Sequence, residues 1–272
     1  MLTETFRIFG GTNVSERTIE EGGLTYISTI EGISFESDAF EETYYNIIGL
    51  FGDVYVPLKG NTPDKLARLL LDCCEEYRLV TGETLDLGSG YELTVKQIYV
   101  KDDEVWMELS KEGVLIDDEI IDISDGGTWI LDMDIEGEND VVVFRTHVNN
   151  LLKDGNLVVI DGLWMIDYDD VFVIESGDSF GILEIDTIGS TWLAMYNNDT
   201  INLTRGSIQE IGGGLKFMVA DSNNLEFTLI KERTEYPNLC PVREEEVPTS
   251  SPFMTAGVLG IALVLFQRRK QK

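Results

Sequence analysis

The sequence predicts an all-β chain with one short helix and a C-terminal transmembrane helix. Apolar and polar residues alternate along most of the chain, and a period of two is typical of strands that bury one face. Turn-forming residues recur about every 8–12 residues, a spacing typical of β-sandwiches and barrels. The chain ends on an uncharged apolar run followed by basic residues, which is typical of a membrane anchor.

The one soluble helix is predicted over Thr62 to Asp72. Thr62 is a typical N-cap residue, Pro63 suits the first helical position, and Asp64 places an acid in the first turn. Apolar residues then follow at helical spacing: Leu66, Leu69, Leu70 and Cys73. A stripe of this kind predicts packing against a core.

Strand patterns occupy most of the remaining body. Tyr91, Leu93, Val95, Gln97 and Tyr99 are expected to share one face of a strand, which residues 101–104 end with a turn. Further strands are predicted at Val105, Met107 and Leu109, at 114–116, 141–144, 157–160 and 171–174. A weak internal similarity between 81–107 and 176–193 suggests two related β modules.

The charge of the chain excludes some partners. It has 50 acidic and 20 basic residues and a net charge of −30. Nucleic acid is a poor partner for such a surface, because affinity there comes from neutralising phosphates. Hydrophobic residues make up 43% of the chain, which is enough for a core and argues against disorder. We expect no cofactor, and only weak, nonspecific binding of divalent cations by the acidic surface.

Cysteine is too rare for a disulfide scaffold. The chain has Cys73, Cys74 and Cys240. Adjacent cysteines rarely bridge each other because the geometry is strained, so Cys240 could pair with either of the two or remain free. The spacing matches no zinc motif.

The C-terminal run divides the chain into four parts. We assign 1–240 to an ectodomain, 241–251 to an acidic stalk, 252–267 to a transmembrane anchor and 268–272 to a basic cytoplasmic tail. The apolar run gives about 22 Å of helix, less than the roughly 30 Å of a hydrocarbon core. Flanking serines and a glutamine lengthen it, and the basic side chains can reach the interface. Because basic flanks stay in the cytoplasm, the body is predicted to face outward.

Ten blocks of sequence resemble the S-layer family duplication domain of methanogenic archaea. In the first half they are 55–58 (YVPL), 61–71 (NTPDKLARLLL), 81–88 (TGETLDLG), 90–97 (GYELTVKQ), 105–113 (VWMELSKEG) and 117–121 (DDEII). In the second half they are 144–149 (FRTHVN), 161–168 (DGLWMIDY), 175–183 (ESGDSFGIL) and 215–221 (LKFMVAD). The resemblance covers about Gly49 to Arg233, and it is specific because the blocks occur in order.

The resemblance implies a structural role. It implies that this chain holds one repeat unit, built from two β-sandwich-like subdomains. It also implies a C-terminal anchor that attaches the protein to the membrane at the cell surface. The partners would be other copies or other S-layer subunits. The acidic lattice would then act as a charged molecular sieve. The alternative is a membrane-anchored binding module, an adhesin or a solute-capturing domain, because a fold does not set a function.

Three sequons are candidate glycosylation sites. Asn13, Asn198 and Asn202 each begin an Asn-X-Ser/Thr motif, which suits a body outside the cell.

No catalytic, cofactor-binding or specific metal residues are predicted. Residues 132–137 begin like a calcium loop, but its twelfth position is Val143, where a bidentate Glu is required. We interpret this segment and the acidic residues 167–170 as solvated turns. His147 is the only histidine and is predicted to be structural. Without a nucleophile motif or phosphate-binding loop, the chain is predicted not to be an enzyme.

Overall fold

The computed structural model describes residues 3–9, 12–13, 16–41, 44–152, 156–231 and 240–241. Within these ranges every regular element is a strand, apart from one 3₁₀ turn, which confirms the all-β class. The strands are β1 (Thr3–Ile8), β2 (Thr12–Asn13), β3 (Thr18–Ile19), β4 (Leu24–Thr29), β5 (Glu31–Ser34), β6 (Tyr44–Leu50), β7 (Asp53–Pro57), β8 (Lys65–Cys73), β9 (Tyr77–Val80), β10 (Thr84–Gly88), β11 (Tyr91–Tyr99), β12 (Glu104–Lys111), β13 (Val114–Asp122), β14 (Thr128–Ile135), β15 (Glu138–Leu152), β16 (Leu157–Val173), β17 (Ser179–Phe180), β18 (Leu183–Ile188), β19 (Trp192–Asn197), β20 (Ile201–Asn202), β21 (Ile208–Gly212), β22 (Leu215–Val219) and β23 (Phe227–Lys231), and the 3₁₀ turn is Ile123–Asp125.

The first hydrophobic core lies between two sheets. One is an eight-stranded sheet in the order β14-β15-β16-β8-β7-β6-β5, with β9 paired to β16, and the other has the order β10-β11-β12-β13. Leu93 and Met107 from the smaller sheet and Phe144 and Met165 from the larger one belong to the same buried cluster. This is the arrangement of a β-sandwich.

The second core is built from both ends of the described chain. Its largest sheet has the order β1-β4-β19-β18-β17, so the N-terminal strands pair with strands from beyond residue 180. Two three-stranded sheets, β2-β3-β20 and β21-β22-β23, complete it. Tyr26, Leu193 and Phe217 are among its buried side chains.

The two cores share strands β6, β7 and β8. Neighbouring residues in a strand point to opposite faces of the sheet, and here each face belongs to a different core. In these three strands, Ile47, Val56 and Ala67 face the first core. Their neighbours Ile48, Tyr55 and Leu66 face the second core. One end of the eight-stranded sheet is therefore covered on both faces.

The predicted helix over Thr62 to Asp72 is wrong. Pro63 and Asp64 lie in a turn, and residues 65–73 form β8, a strand between β7 and β16. A strand buried on both faces shows a continuous apolar run without alternation. A bulge opposite Ile166 and Met165 also interrupts its register. The leucines therefore recur at helix-like spacing by chance.

The predicted strand at 91–99 is confirmed. The expectation that every second residue from Tyr91 to Tyr99 shares one face holds only for the first part of the strand. Tyr91, Leu93 and Val95 are buried together. A bulge between Val95 and Gln97 then shifts the register against β12. As a result Gln97 is exposed and Ile98 is buried.

Cys240 pairs with Cys73, one of its two candidate partners. Their Cα atoms are 5.1 Å apart, and the bridge closes a separation of 167 residues. Cys74 is exposed and free. Among the described residues no helix is long and apolar enough to cross a membrane. The predicted anchor at 252–267, the basic tail and the stalk after Pro241 lie outside the described residues.

Candidate assembly surfaces

Two neighbouring edge strands expose apolar side chains. β13 and β14 end the two sheets of the first core in the described part of the chain. Between them lies a groove of about 310 Å³, lined by residues 119–122, Asp125 and 128–130. Val114 is 69% exposed, Ile120 50% and Ile130 42%. A long edge with exposed apolar residues is a template for pairing with another strand.

The same edge is also strongly acidic. Asp117, Asp118 and Glu119 follow one another in β13, and the Asp118 carboxylate accepts a hydrogen bond from the Trp106 indole at 2.8 Å. Carboxylates on an edge oppose pairing with another acidic strand. The edge therefore suits a partner that brings positive charge, either basic side chains or divalent cations.

The outer face of the β21-β22-β23 sheet is a second exposed apolar surface. Phe217 and Leu229 point into the second core, whereas Ile208 is 59% exposed and Met218 46%. Ile208 and Met218 lie opposite each other across β21 and β22. Two adjacent exposed apolar side chains on one sheet face make it a second candidate contact surface.

The three sequons lie in one region of the second core. Asn13 on β2 and Asn202 on β20 both lie opposite Thr18 of the central strand β3. Asn202 is exposed, and so is Asn198 in the loop before β20. The Asn198 amide donates to the Glu184 carboxylate at 3.2 Å. All three candidate sites therefore approach the same small sheet.

The segment that begins like a calcium loop is a β-hairpin. Its turn residues, Glu136 and Gly137, have φ angles of 50° and 78°, as a two-residue hairpin turn requires. Val143, at the place of the twelfth calcium ligand, is fully buried in β15. The hairpin geometry thus aims this position into the core instead of toward a metal ion.

The second acidic segment is part of β16 and connects the two sheets of the first core. The Lys111 Nζ atom on β12 lies 2.7 Å from the Asp169 carboxylate. It also donates to the Tyr91 hydroxyl at 3.1 Å and lies 4.3 Å from the centre of that ring. The interpretation of 167–170 as a turn is therefore wrong, because these residues lie in β16. Asp169 is exposed to solvent, as expected, but it also belongs to a cross-sheet ion pair.

His147 holds a carboxylate on the surface of the first core. Its Nδ1 atom lies 2.5 Å from Asp161 Oδ1, and the Asn149 amide donates to Asp161 Oδ2 at 2.6 Å. The nearby Ser37 hydroxyl donates to the backbone carbonyl of Asp161. The Ser37 hydroxyl thus bonds to a backbone carbonyl and is not paired with His147. These contacts agree with a structural histidine.

A half-buried carboxylate, that of Glu4, lies at the junction of the cores, and no sequence pattern predicts it. Glu4 accepts hydrogen bonds from the Gly52 N–H at 2.8 Å and from the Tyr26 hydroxyl at 2.9 Å. Burial raises the pKa of the Glu4 carboxyl above its ordinary value. Gly52 belongs to the turn between β6 and β7. The Lys231 ammonium, on β23, donates to the Phe51 carbonyl of that turn at 2.6 Å and to Asp53, which follows the turn, at 2.8 Å.

This junction fixes the β6–β7 turn against the second core. The Phe51 ring stacks on Tyr26 with centroids 5.2 Å apart. A side chain at Gly49 would clash with Glu4, and one at Gly213 would clash with the Phe51 ring. Sequence reasoning missed this site because Glu4 is one of 50 acids and its partners are remote in sequence.

Comparison with known proteins places the chain among surface-layer proteins. A sequence model described as S-layer protein matches residues 1–221. The chain is 41% identical over 241 residues to the Major S-layer protein of Methanosarcina barkeri, covering 86% of this chain and 36% of that protein. It is 39% identical over 262 residues to the Major S-layer protein of Methanosarcina acetivorans, covering 92% and 38%. The chain thus spans little more than a third of the length of these relatives, and it belongs to the S-layer protein family.

Proposed function

We propose that this chain is a structural subunit of a cell-surface layer. The observation that carries the proposal is the family match over residues 1–221. The fold supports it, since two cores that share β6, β7 and β8 would resist bending between them. A rigid block of this kind suits a lattice subunit, because each contact then fixes the orientation of the next copy.

We propose further that the body faces outward and that residues 252–267 anchor it in the membrane. The basic residues 268–272 support this orientation. The exposed sequons at Asn198 and Asn202 support it as well, because such motifs are glycosylated on surface loops of exported proteins.

The proposed partners are other copies of the chain or other S-layer subunits. The β13–β14 edge would contact a different surface of the neighbour, because a contact between unlike surfaces can repeat without closing a small ring. Divalent cations would bridge its carboxylates to those of the neighbour. The acidic walls of the resulting gaps would repel anions and large polyanions and admit small solutes and cations.

A membrane-anchored binding module is the second candidate. The groove between β13 and β14 favours it, because an extended segment of another protein could pair with either edge. Both candidates are non-enzymatic. We expect no turnover of ester, peptide, glycoside or phosphate substrates, and hydrolysis that disappears on replacing one Asp or Glu would contradict both.

Protease treatment of intact cells tests the proposed location. The protease should remove the body and leave the membrane tail, while a cytoplasmic marker stays intact. Electron microscopy of isolated envelopes, with an antibody against the body, should then label a regular array. A body protected in intact cells would overturn the surface location. A surface label without any array would favour the binding module.

A further inference from the structure

We infer that Cys73, Cys240 and Glu75 form a binding site for a thiophilic divalent metal ion, such as Zn²⁺, when the Cys73–Cys240 disulfide is reduced. Their donor atoms, two sulfurs and a carboxylate oxygen, all lie within 4.8 Å of one another. Zinc holds a thiolate sulfur at about 2.3 Å and a carboxylate oxygen at about 2.0–2.2 Å, so two of its ligands are at most about 4.6 Å apart. The three donors already lie almost within this range.

The donor set selects the class of metal. Thiolates favour Zn²⁺ and other soft ions over Mg²⁺ and Ca²⁺, which prefer oxygen ligands. Zinc usually takes four ligands in a tetrahedron, so a water molecule would complete the set. The two sulfurs would have to separate to about 3.8 Å for this geometry, which becomes feasible once the bond between them is broken.

The surroundings of Cys73 suit a metal-bound thiolate. Its side chain is buried, and the Glu75 backbone N–H donates to its sulfur at 3.5 Å. The Tyr77 hydroxyl also lies 3.5 Å from this sulfur and donates to the Pro241 carbonyl at 3.0 Å. A hydrogen bond from a backbone N–H to a ligand sulfur, like that of Glu75, orients the ligand and tunes its basicity. The Tyr77 bond thereby places the segment of Cys240 beside Cys73.

The two states differ by balanced chemical steps. A phosphine reductant and water convert the disulfide into two thiols and a phosphine oxide. The two thiols then bind one divalent ion and release two protons, because thiolates are the ligands. Either the disulfide or the metal would keep Cys240, and the chain that follows it, attached to β8. Reduction without metal would release this segment.

A metal titration tests the site directly. The purified protein is reduced with a phosphine under inert gas, and Co²⁺ is added as a spectroscopic probe before Zn²⁺ displaces it. We expect thiolate-to-cobalt charge-transfer bands that saturate at one ion per chain and disappear in Cys73→Ser and Cys240→Ser. Tyr77→Phe should weaken binding, because it removes the hydrogen bond to the Pro241 carbonyl that places Cys240 beside Cys73. Glu75→Gln should also weaken it.

Cys74→Ser is the matched control, since Cys74 is the exposed neighbour of Cys73 and is not in the donor set. It should bind like the unchanged protein. Absent charge-transfer bands in the reduced protein would overturn the proposal. Bands that survive Cys73→Ser, or that disappear in Cys74→Ser, would overturn it too.

A second measurement needs no variant. Trypsin can cut after Arg233 and after Arg243, which gives a peptide, 234–243, that contains Cys240. We expect this peptide to stay with the body in the oxidised protein, to separate after reduction, and to stay again after reduction in the presence of Zn²⁺. Separation that Zn²⁺ does not prevent would contradict a metal-held segment.

Discussion

Leu66 and Ala67 are neighbours in β8, yet their side chains lie in different hydrophobic cores. Both are fully buried, Leu66 in the second core and Ala67 in the first. The same division occurs in β6 and β7, so one piece of sheet serves as a wall of both cores. A substitution that leaves a cavity on one face of these shared strands should therefore destabilise both cores.

Replacing Leu66 with Ala should destabilise the whole body by about 2–5 kcal/mol, the usual cost of removing a buried leucine side chain. Unfolding by urea, followed by both fluorescence and circular dichroism, should give one transition at a lower midpoint. Leu115→Ala, at an exposed position of β13, is the control and should change stability by less than about 0.5 kcal/mol. Two separated transitions in Leu66→Ala would show that the cores unfold independently.

The sequence predicts the all-β class correctly because most strands bury one face and therefore alternate. It fails at β8 because burial on both faces removes the alternation, and no local signal then separates a strand from a helix. The same kind of limit applies at Gln97, where a bulge reverses the exposed face. A bulge depends on the partner strand, so the pattern of one strand alone does not predict it.

Replacing Cys73 and Cys240 with Ser should lower the free energy of unfolding. In the chain-entropy account, a bridge across 167 residues stabilises by about 5 kcal/mol, and native bridges typically contribute about 2–5 kcal/mol. Urea unfolding of the double variant and of the unchanged protein without reductant measures the difference. Cys74→Ser should leave the midpoint unchanged, whereas a double variant as stable as the unchanged protein would contradict the expected constraint.

Replacing Glu4 with Gln should change how stability depends on pH. Burial raises the pKa of Glu4 in the folded state above the ordinary 4.5. A raised folded pKa means that the contribution to stability is complete below the unfolded value and is lost as pH rises through the folded value. Gln cannot titrate but can still accept from Gly52 N–H. The variant should therefore gain stability relative to the unchanged protein as pH rises from acid to neutral.

Urea midpoints measured across this pH range test the prediction, with Glu21→Gln, at an exposed position, as the control. The urea midpoint of this control should change with pH in the same way as that of the unchanged protein. A Glu4→Gln variant that loses stability relative to the unchanged protein as pH rises would reverse the sign and contradict a raised pKa.

Of the candidate surfaces, only the sequons could be found from the sequence, because they are three-residue motifs. The Glu4 junction joins residues 48 positions apart, and the partner of Cys240 was left open between two adjacent cysteines. The β13–β14 groove depends on which strands end each sheet. Pairing order is a property of the assembled sheets, so one sequence without a structure does not supply it.

Assembly should depend on divalent cations and on the β13 edge. A chain with a net charge of −30 repels its copies, and this repulsion is strongest at low ionic strength because screening is then weak. We expect a monomer in low salt with chelator and self-association as Ca²⁺ or Mg²⁺ rises at high protein concentration. Sedimentation velocity across a divalent titration measures both states.

Ile120→Asp in β13 should raise the divalent concentration needed for association, because it replaces an exposed apolar side chain of the proposed contact with a charged one. Ile208→Asp introduces the same charge on the exposed face of β21 and therefore controls for net charge alone. If the two variants shift the titration equally, the effect is one of overall charge and β13 is not the contact edge. If Ile208→Asp alone shifts it, the outer face of the β21-β22-β23 sheet is the contact. A protein that stays monomeric at every divalent concentration would favour the binding module over the lattice subunit.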